Sequence, residues 1–213
     1  MIKKKIIDIV IIGGGYPDLF DIIDDINTYK KTYNIIGVVD KKRFKNITRF
    51  NYKLYKNFSA IKFKNTKNLY LVNGVASSIK LRKAVFKFYN KKKFKFVNLI
   101  HPNSKINNLK LKQGNIICSG VYFGRDAEIG SNNLFSPNVY IGHDTKIKDN
   151  CFFGPTASIL GKVKIDKDCY MGSGCKILNG TKINRNSYIS LGAVVFNDVG
   201  VNKKIFGNPG REV

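Results

Sequence analysis

The stretch that decides the fold is Phe135-Ser136-Pro137-Asn138-Val139-Tyr140-Ile141-Gly142-His143-Asp144-Thr145-Lys146-Ile147-Lys148-Asp149-Asn150-Cys151-Phe152-Phe153. Every sixth residue is large and apolar: Phe135, Ile141, Ile147, Phe153. Two places before each stands a smaller residue. Working outward, the large column runs unbroken from Ile117 through Phe123 and Ile129, then on through Ile159, Ile165, Met171, Ile177, Ile183 and Ile189 to Val195. The smaller column includes Val121, Ala127, Val139, Thr145, Cys151, Ala157, Val163, Cys169, Cys175, Thr181, Ser187 and Ala193, with Asn133 as its one misfit. An amphipathic strand repeats every two residues and a helix every 3.6. A six-residue period belongs to the parallel β-helix, in which three short edges close a triangular coil of about eighteen residues. The large residue then fills the prism and the smaller one sits where the chain turns a corner. The period does not fix the handedness of the coil.

The residues before this repeat read differently. Ile6–Ile12 is an apolar run entering Gly13-Gly14-Gly15, followed by Leu19, Ile22, Ile23 and Ile26 at helical spacing. Pro17 suits the first helical turn, and Asp18 and Asp21 suit its positive end. Further strands are expected at Ile35–Val39, Leu69–Val72 and Phe94–Leu99. A helix capped by Ser77 or Ser78 should span Ile79–Tyr89, and residues 41–67 should be basic loop with one short helix. This alternation predicts an α/β domain with a parallel sheet over residues 1–100, joined to a β-helix domain over 101–213. Gly13 and Gly14 let a phosphate approach the helix start, and Asp40, ending the second strand, can accept from a ribose or base. A GxGxxG pattern from Gly13 would need glycine where Asp18 stands, which disfavours a dinucleotide. A tight strand-to-helix turn without a ligand explains the glycines equally well.

Composition narrows the classes. The chain of 213 residues is 43% hydrophobic and 24% charged, as soluble globular proteins are. No apolar run is long enough to span a bilayer, so no membrane partner is expected. The opening reaches Asp8 and Gly13 instead of a secretory core, so a cytoplasmic protein is expected. The net charge of +24 divides unevenly: +20 over residues 1–113 and +4 over 114–213. The excess is lysine, 32 residues against 6 arginines, accompanied by 24 asparagines and 27 isoleucines, as AT-rich codon usage produces. Nucleic-acid readers rely on arginine forks. Lys91-Lys92-Lys93-Phe94-Lys95-Phe96 reads as a solvated face, and no nucleic-acid partner is expected. Cys118, Cys151, Cys169 and Cys175 contain no CxxC pair, and neither His101 nor His143 joins a ligand pattern, so no metal is expected. Three of the cysteines are corner residues of the repeat.

Taken together, the hexapeptide column, Gly13-Gly14-Gly15, Val38-Val39-Asp40, Val97-Asn98-Leu99-Ile100-His101-Pro102, Ile141-Gly142-His143-Asp144 and Phe206-Gly207-Asn208-Pro209 resemble one group. These are the hexapeptide-repeat sugar acetyltransferases of the sialic acid O-acetyltransferase and nucleotide-amino-sugar N-acetyltransferase (bacillosamine-type) family. The resemblance implies an N-terminal Rossmann-like domain followed by a left-handed β-helix, a homotrimer with active sites between subunits, and acetyl-CoA as donor. The implied acceptor is the amine of a nucleotide-activated sugar in surface-glycan synthesis. His143 would be the general base, since an imidazole can take a proton near neutral pH, with Asp144 orienting it. Gly161, eighteen residues on, would lie beside the pantetheine arm, and Ser173 and Leu191 would continue that groove. Gly13, Gly14, Asp40 and Asn73 would hold the nucleotide sugar. His101 would be structural, and Arg211 could meet a phosphate of CoA. Two positions depart from the family: Tyr16-Pro17 replaces a Gly-His pair, and Phe152 stands where many members have a second histidine. O-acetylation of a sialic acid and a non-catalytic nucleotide-sugar scaffold remain as alternatives.

Overall fold

A computed structural model describes residues 6–41, 52–63, 68–106 and 108–213. Two architectures follow one another. The first is a parallel sheet of β1 (Ile7–Ile12), β2 (Tyr33–Val39), β3 (Leu54–Tyr55) and β4 (Leu69–Asn73), in the order β3-β2-β1-β4. Helix α1 (Asp18–Tyr29) links β1 to β2, and α2 (Ile79–Lys91) follows β4. β1 pairs with β2 on one side and β4 on the other. Both its edges are thus paired, α1 packs on one face and Tyr89 and Phe96 on the other, and Ile9, Val10 and Ile11 are fully buried. Ser78 caps α2 by accepting from the Leu81 N–H, as its place before the helical pattern requires. The loop expected at 41–67 falls partly outside the described residues; within it lie β3 and a short 3-10 turn, Phe58–Ala60.

The second architecture is a parallel β-helix of two-residue strands. A first face stacks Leu99–Ile100, Ile116–Ile117, Leu134–Phe135, Phe152–Phe153, Tyr170–Met171 and Tyr188–Ile189. A second stacks Lys105–Ile106 through Val194–Val195, and a third Lys110–Leu111 through Lys182–Ile183. From Lys110–Leu111 to Val194–Val195 the pairing steps by eighteen residues, as from Tyr140 to Ser158, while Leu99 and Lys105 pair seventeen residues on, with Ile116 and Tyr122. All fourteen large-column residues are buried, at 3% exposure or less, and Phe135 stacks on Phe153 at 4.7 Å. The smaller column is equally buried, Asn133 included. There Asn133 accepts from the Cys151 N–H, while its own N–H donates to Asn115.

A third column sets the corners. Gly120, Asp126, Asn132, Asn138, Asp144, Asn150, Thr156, Lys162, Asp168, Gly174, Gly180, Asn186 and Gly192 all have positive φ. All but Thr156 and Lys162 are Gly, Asn or Asp, the residues that tolerate this left-handed conformation. Each of the three columns thus has one physical cause: filling the interior, fitting the inner corner, or reversing the chain.

The expected strand at Phe94–Leu99 is a correction. Phe96 makes only an isolated bridge to Leu71, and Leu99–Ile100 instead starts the first face of the β-helix. The coil therefore begins before Ile117. It was hidden because Ile106 and Leu111 are five residues apart, one short of the period.

The two architectures share a core. Leu19, Phe20, Ile22 and Ile23 of α1 pack with Ile9 and Ile11 against Leu99, Ile116 and Leu134, which point outward from the first face. That face is apolar where the first sheet and α1 cover it. The third face, with Glu128, Lys146, Lys164 and Lys182 outward, is polar and open.

Candidate active site

His143 sits on the corner between the second and third faces, directly after Tyr140–Ile141. The column position at Ile141 points inward and Gly142 is buried, so the next side chain is carried out to solvent. His143 Nδ1 lies 2.7 Å from Asp144 Oδ2, and the two side chains are 56% and 52% exposed. A carboxylate only accepts, so Nδ1 carries a proton and donates, which in the neutral ring leaves the lone pair on Nε2. Asp144 is also the corner residue, with φ 57°.

Gly161 is one coil further along the same corner. A Cβ there would stand 2.6 Å from His143 Nε2, and the two other nearest atoms it would meet also belong to the ring. The imidazole thus lies over bare backbone, and any side chain at 161 would displace it. Beside this corner runs a stripe absent from the sequence reading. Leu160, Leu178 and Phe196 occupy one column at successive coils and are 39%, 43% and 50% exposed. Their six-residue phase, one step past the interior column, was legible in the sequence.

Ser173 and Leu191 lie elsewhere. Both are exposed, Leu191 at 75%, but they occupy the corner between the first and second faces. Within one chain they are separated from His143 and Gly161 by the second face. The expectation of one continuous groove from Gly161 through Ser173 to Leu191 is therefore corrected: the eighteen-residue coil puts them on two edges.

A cavity of about 550 Å³ opens at the carboxyl ends of β1, β2 and β4. Gly13 and Asp40 line it, as do Lys41, Lys56, Asn57 and Ser77, with Phe58, Leu81 and Val85 supplying apolar wall. Gly14 donates its N–H to Asp40 Oδ2 at 2.9 Å. Gly13, at φ 89°, passes so close to Gly74 that a Cβ on Gly74 would strike the Gly13 carbonyl. Asn73 is not in this cavity. It is 1% exposed, and its amide donates to the Arg82 carbonyl and to Asn132 Oδ1 at the junction with the β-helix.

Tyr16 reaches from the glycine turn to the β-helix, its hydroxyl 3.1 Å from Cys118 Sγ. Burial raises the Cys118 thiol to about 12, and burial also raises Cys151 and Cys175. None of these three offers a thiolate near neutral pH. Phe152 is half-buried against the shared core. Among the described residues no three His, Cys, Asp or Glu are grouped to hold a metal ion, and no helix is long and apolar enough to cross a membrane.

Comparison with known proteins agrees with this architecture. Residues 126–161 and 144–179 match the family model described as bacterial transferase hexapeptide (six repeats). The fold is similar to that of a mutant perosamine N-acetyltransferase from Caulobacter crescentus solved with CoA and GDP-perosamine. The identity is 21%, covering 98% of each chain, with a TM-score of 0.85. It is also similar to the acetyltransferase domain of PglB from Neisseria gonorrhoeae, at 15% identity over 97% of this chain and 99% of that one, TM-score 0.86. WeeI from Acinetobacter baumannii is a third, at 18% identity over 98% and 100%, TM-score 0.83. At these identities the likeness is one of fold. No curated protein matches the chain by sequence.

Proposed function

We propose that this protein transfers an acetyl group from acetyl-CoA to the amine of a nucleotide-linked amino sugar. The observation that carries the reading is His143, whose Nδ1 is tied to Asp144 while Nε2 lies over the bare backbone of Gly161. The amine attacks the thioester carbonyl, forming the C–N bond, and Nε2 takes the proton the nitrogen sheds. The C–S bond then breaks, and the imidazolium returns its proton to the departing thiolate. Asp144 stabilises the imidazolium between these steps. No acyl-enzyme is needed.

The acceptor's nucleotide occupies the cavity at Gly13, with Asp40 receiving hydrogen bonds and Lys41 and Lys56 facing its phosphates. A volume of this size suits such a ligand. The residues before Leu99 then act as a Rossmann-like nucleotide-sugar domain, and those from Leu99 to Val213 as a left-handed β-helix acyltransferase domain. The pantetheine arm runs along Leu160, Leu178 and Phe196 from Gly161. Because Ser173 and Leu191 lie on another edge, they contact the donor from a neighbouring copy in a homotrimer. The reaction belongs in the cytoplasm, where both substrates are made. The complex of the similar perosamine N-acetyltransferase with CoA and GDP-perosamine supports this pairing of ligands.

The test is release of free CoA from acetyl-CoA with a panel of nucleotide-linked amino sugars and free sialic acid. Turnover with a nucleotide amino sugar, abolished in His143→Ala, is expected. Turnover confined to sialic acid would replace N- with O-acetylation. No turnover with any acceptor, or an unimpaired His143→Ala, would refute the proposal.

A further inference from the structure

The junction between the two architectures contains a fully buried arginine with no carboxylate partner. Arg82, in the first turn of α2, is 2% exposed, and its guanidinium donates only to main-chain carbonyls. Nε reaches the Asn132 oxygen at 3.0 Å. One terminal nitrogen reaches the oxygens of Asn73 and Val75 at 2.8 and 3.0 Å, and the other that of Asn133 at 3.4 Å. Two of these carbonyls belong to the segment leaving β4, and two to a β-helix corner. One planar group thus spans the join, which the flexible, single-headed ammonium of lysine could not do. Burial lowers Arg82 to about 9, which still leaves it charged at neutral pH.

The surrounding groups extend this clamp. Asn73 donates to Asn132 Oδ1, and from there Asn132 donates to Asn150 Oδ1 and Asn150 to Asp168 Oδ1, the last two steps each one coil on. Asn150 also donates to the Ile79 carbonyl of α2, and Lys83 pairs with Asp168. The start of α2 is therefore seated across three consecutive coils. The same segment forms one wall of the nucleotide cavity: Gly74, Val75, Ser77 and Leu81 line it, and Asn73 Oδ1 accepts from the Val75 N–H.

We infer that Arg82 is a positioning residue for the acceptor, fixing the 73–81 wall of the nucleotide cavity to the β-helix that carries His143. This rests on the cavity being the nucleotide site. Arg82 touches neither substrate; it holds the carbonyls of Asn73 and Val75, whose neighbours do. A shift of about 1 Å in a positioning element can change rates by orders of magnitude. Loss of this clamp therefore acts on acceptor binding and leaves the donor groove, built on other corners, intact.

The test compares UDP, GDP and acetyl-CoA binding to wild type and Arg82→Lys by calorimetry, on protein whose circular dichroism and oligomeric state match wild type. The dissociation constant for the nucleotide that binds wild type is expected to rise about tenfold or more, with acetyl-CoA affinity unchanged. A merely structural role would move both ligands together or neither, and either result overturns the inference. Should Arg82→Lys not fold, Asn132→Gly provides the milder break. It suits the φ of 59° at that position and keeps the carbonyl to which Arg82 donates, removing the partner of Asn73. A selective rise of about threefold in the nucleotide constant is expected there, and unchanged nucleotide binding contradicts the inference. If wild type binds neither nucleotide, it is the reading of the cavity that fails.

Discussion

The molecule contains two histidine–aspartate pairs of the same length and opposite character. His101 Nε2 lies 2.7 Å from Asp25 Oδ2, as His143 Nδ1 does from Asp144 Oδ2. At His101 both ring nitrogens are occupied: Nε2–H donates to Asp25, and Nδ1 accepts from the Asn103 N–H at 3.0 Å. The ring is 13% exposed and ties α1 to the first coil. At His143 only one nitrogen is occupied, and the other faces open backbone. A short contact to a carboxylate therefore does not mark a catalytic histidine. What distinguishes the two is the vacancy on the second nitrogen, made at His143 by a glycine one coil away.

Four substitutions break or sharpen this contrast. The largest effect is expected for His143→Ala, which removes the proposed base and should lower acetyl transfer about a thousandfold, as single-turnover kinetics would read. Gly161→Ala keeps both members of the pair but drives a methyl into Nε2, and a loss of about a hundredfold is expected with the fold retained. Asp144→Asn keeps a residue that tolerates the corner's positive φ and removes the charge. The rate should fall about tenfold, less than for a buried triad acid because both groups face solvent. An unchanged rate would mean that Asp144 serves the corner alone. His101→Gln should leave the rate within about twofold. Its effect belongs to stability, about 1 kcal/mol, or roughly 2–4 °C in a thermal melt for a chain of this length.

The contrast also explains what the sequence could and could not convey. The interior column was legible because a prism allows only large apolar residues there, and Phe135 or Ile141 have no other reason to recur every six. The same count stacked Gly161 on His143. Applied further, it would have separated Ser173, which lies thirty residues from His143, one coil and two faces on. The left-handed column was equally available, since Asn132, Asn138, Asp144 and Asn150 keep the same phase. It gives Asp144 a structural reason to be acidic beside its partnership with His143. The joint was not legible. Asn73 reads as a loop residue after a strand, and only the packing of α2 across three coils turns its amide toward Asn132. Arg82 was hidden among 38 basic residues, because nothing local to a helix distinguishes a guanidinium bound by distant carbonyls from a solvated one.

Because the chain has only two histidines, imidazole 15N NMR observes both sides of the comparison at once. The account predicts His143 as the Nδ1–H tautomer, with an unprotonated Nε2 whose resonance moves when acetyl-CoA is added. His101 should be the Nε2–H tautomer, unmoved by the same addition. An Nε2–H tautomer at His143, or a response to acetyl-CoA at His101 and none at His143, would contradict it.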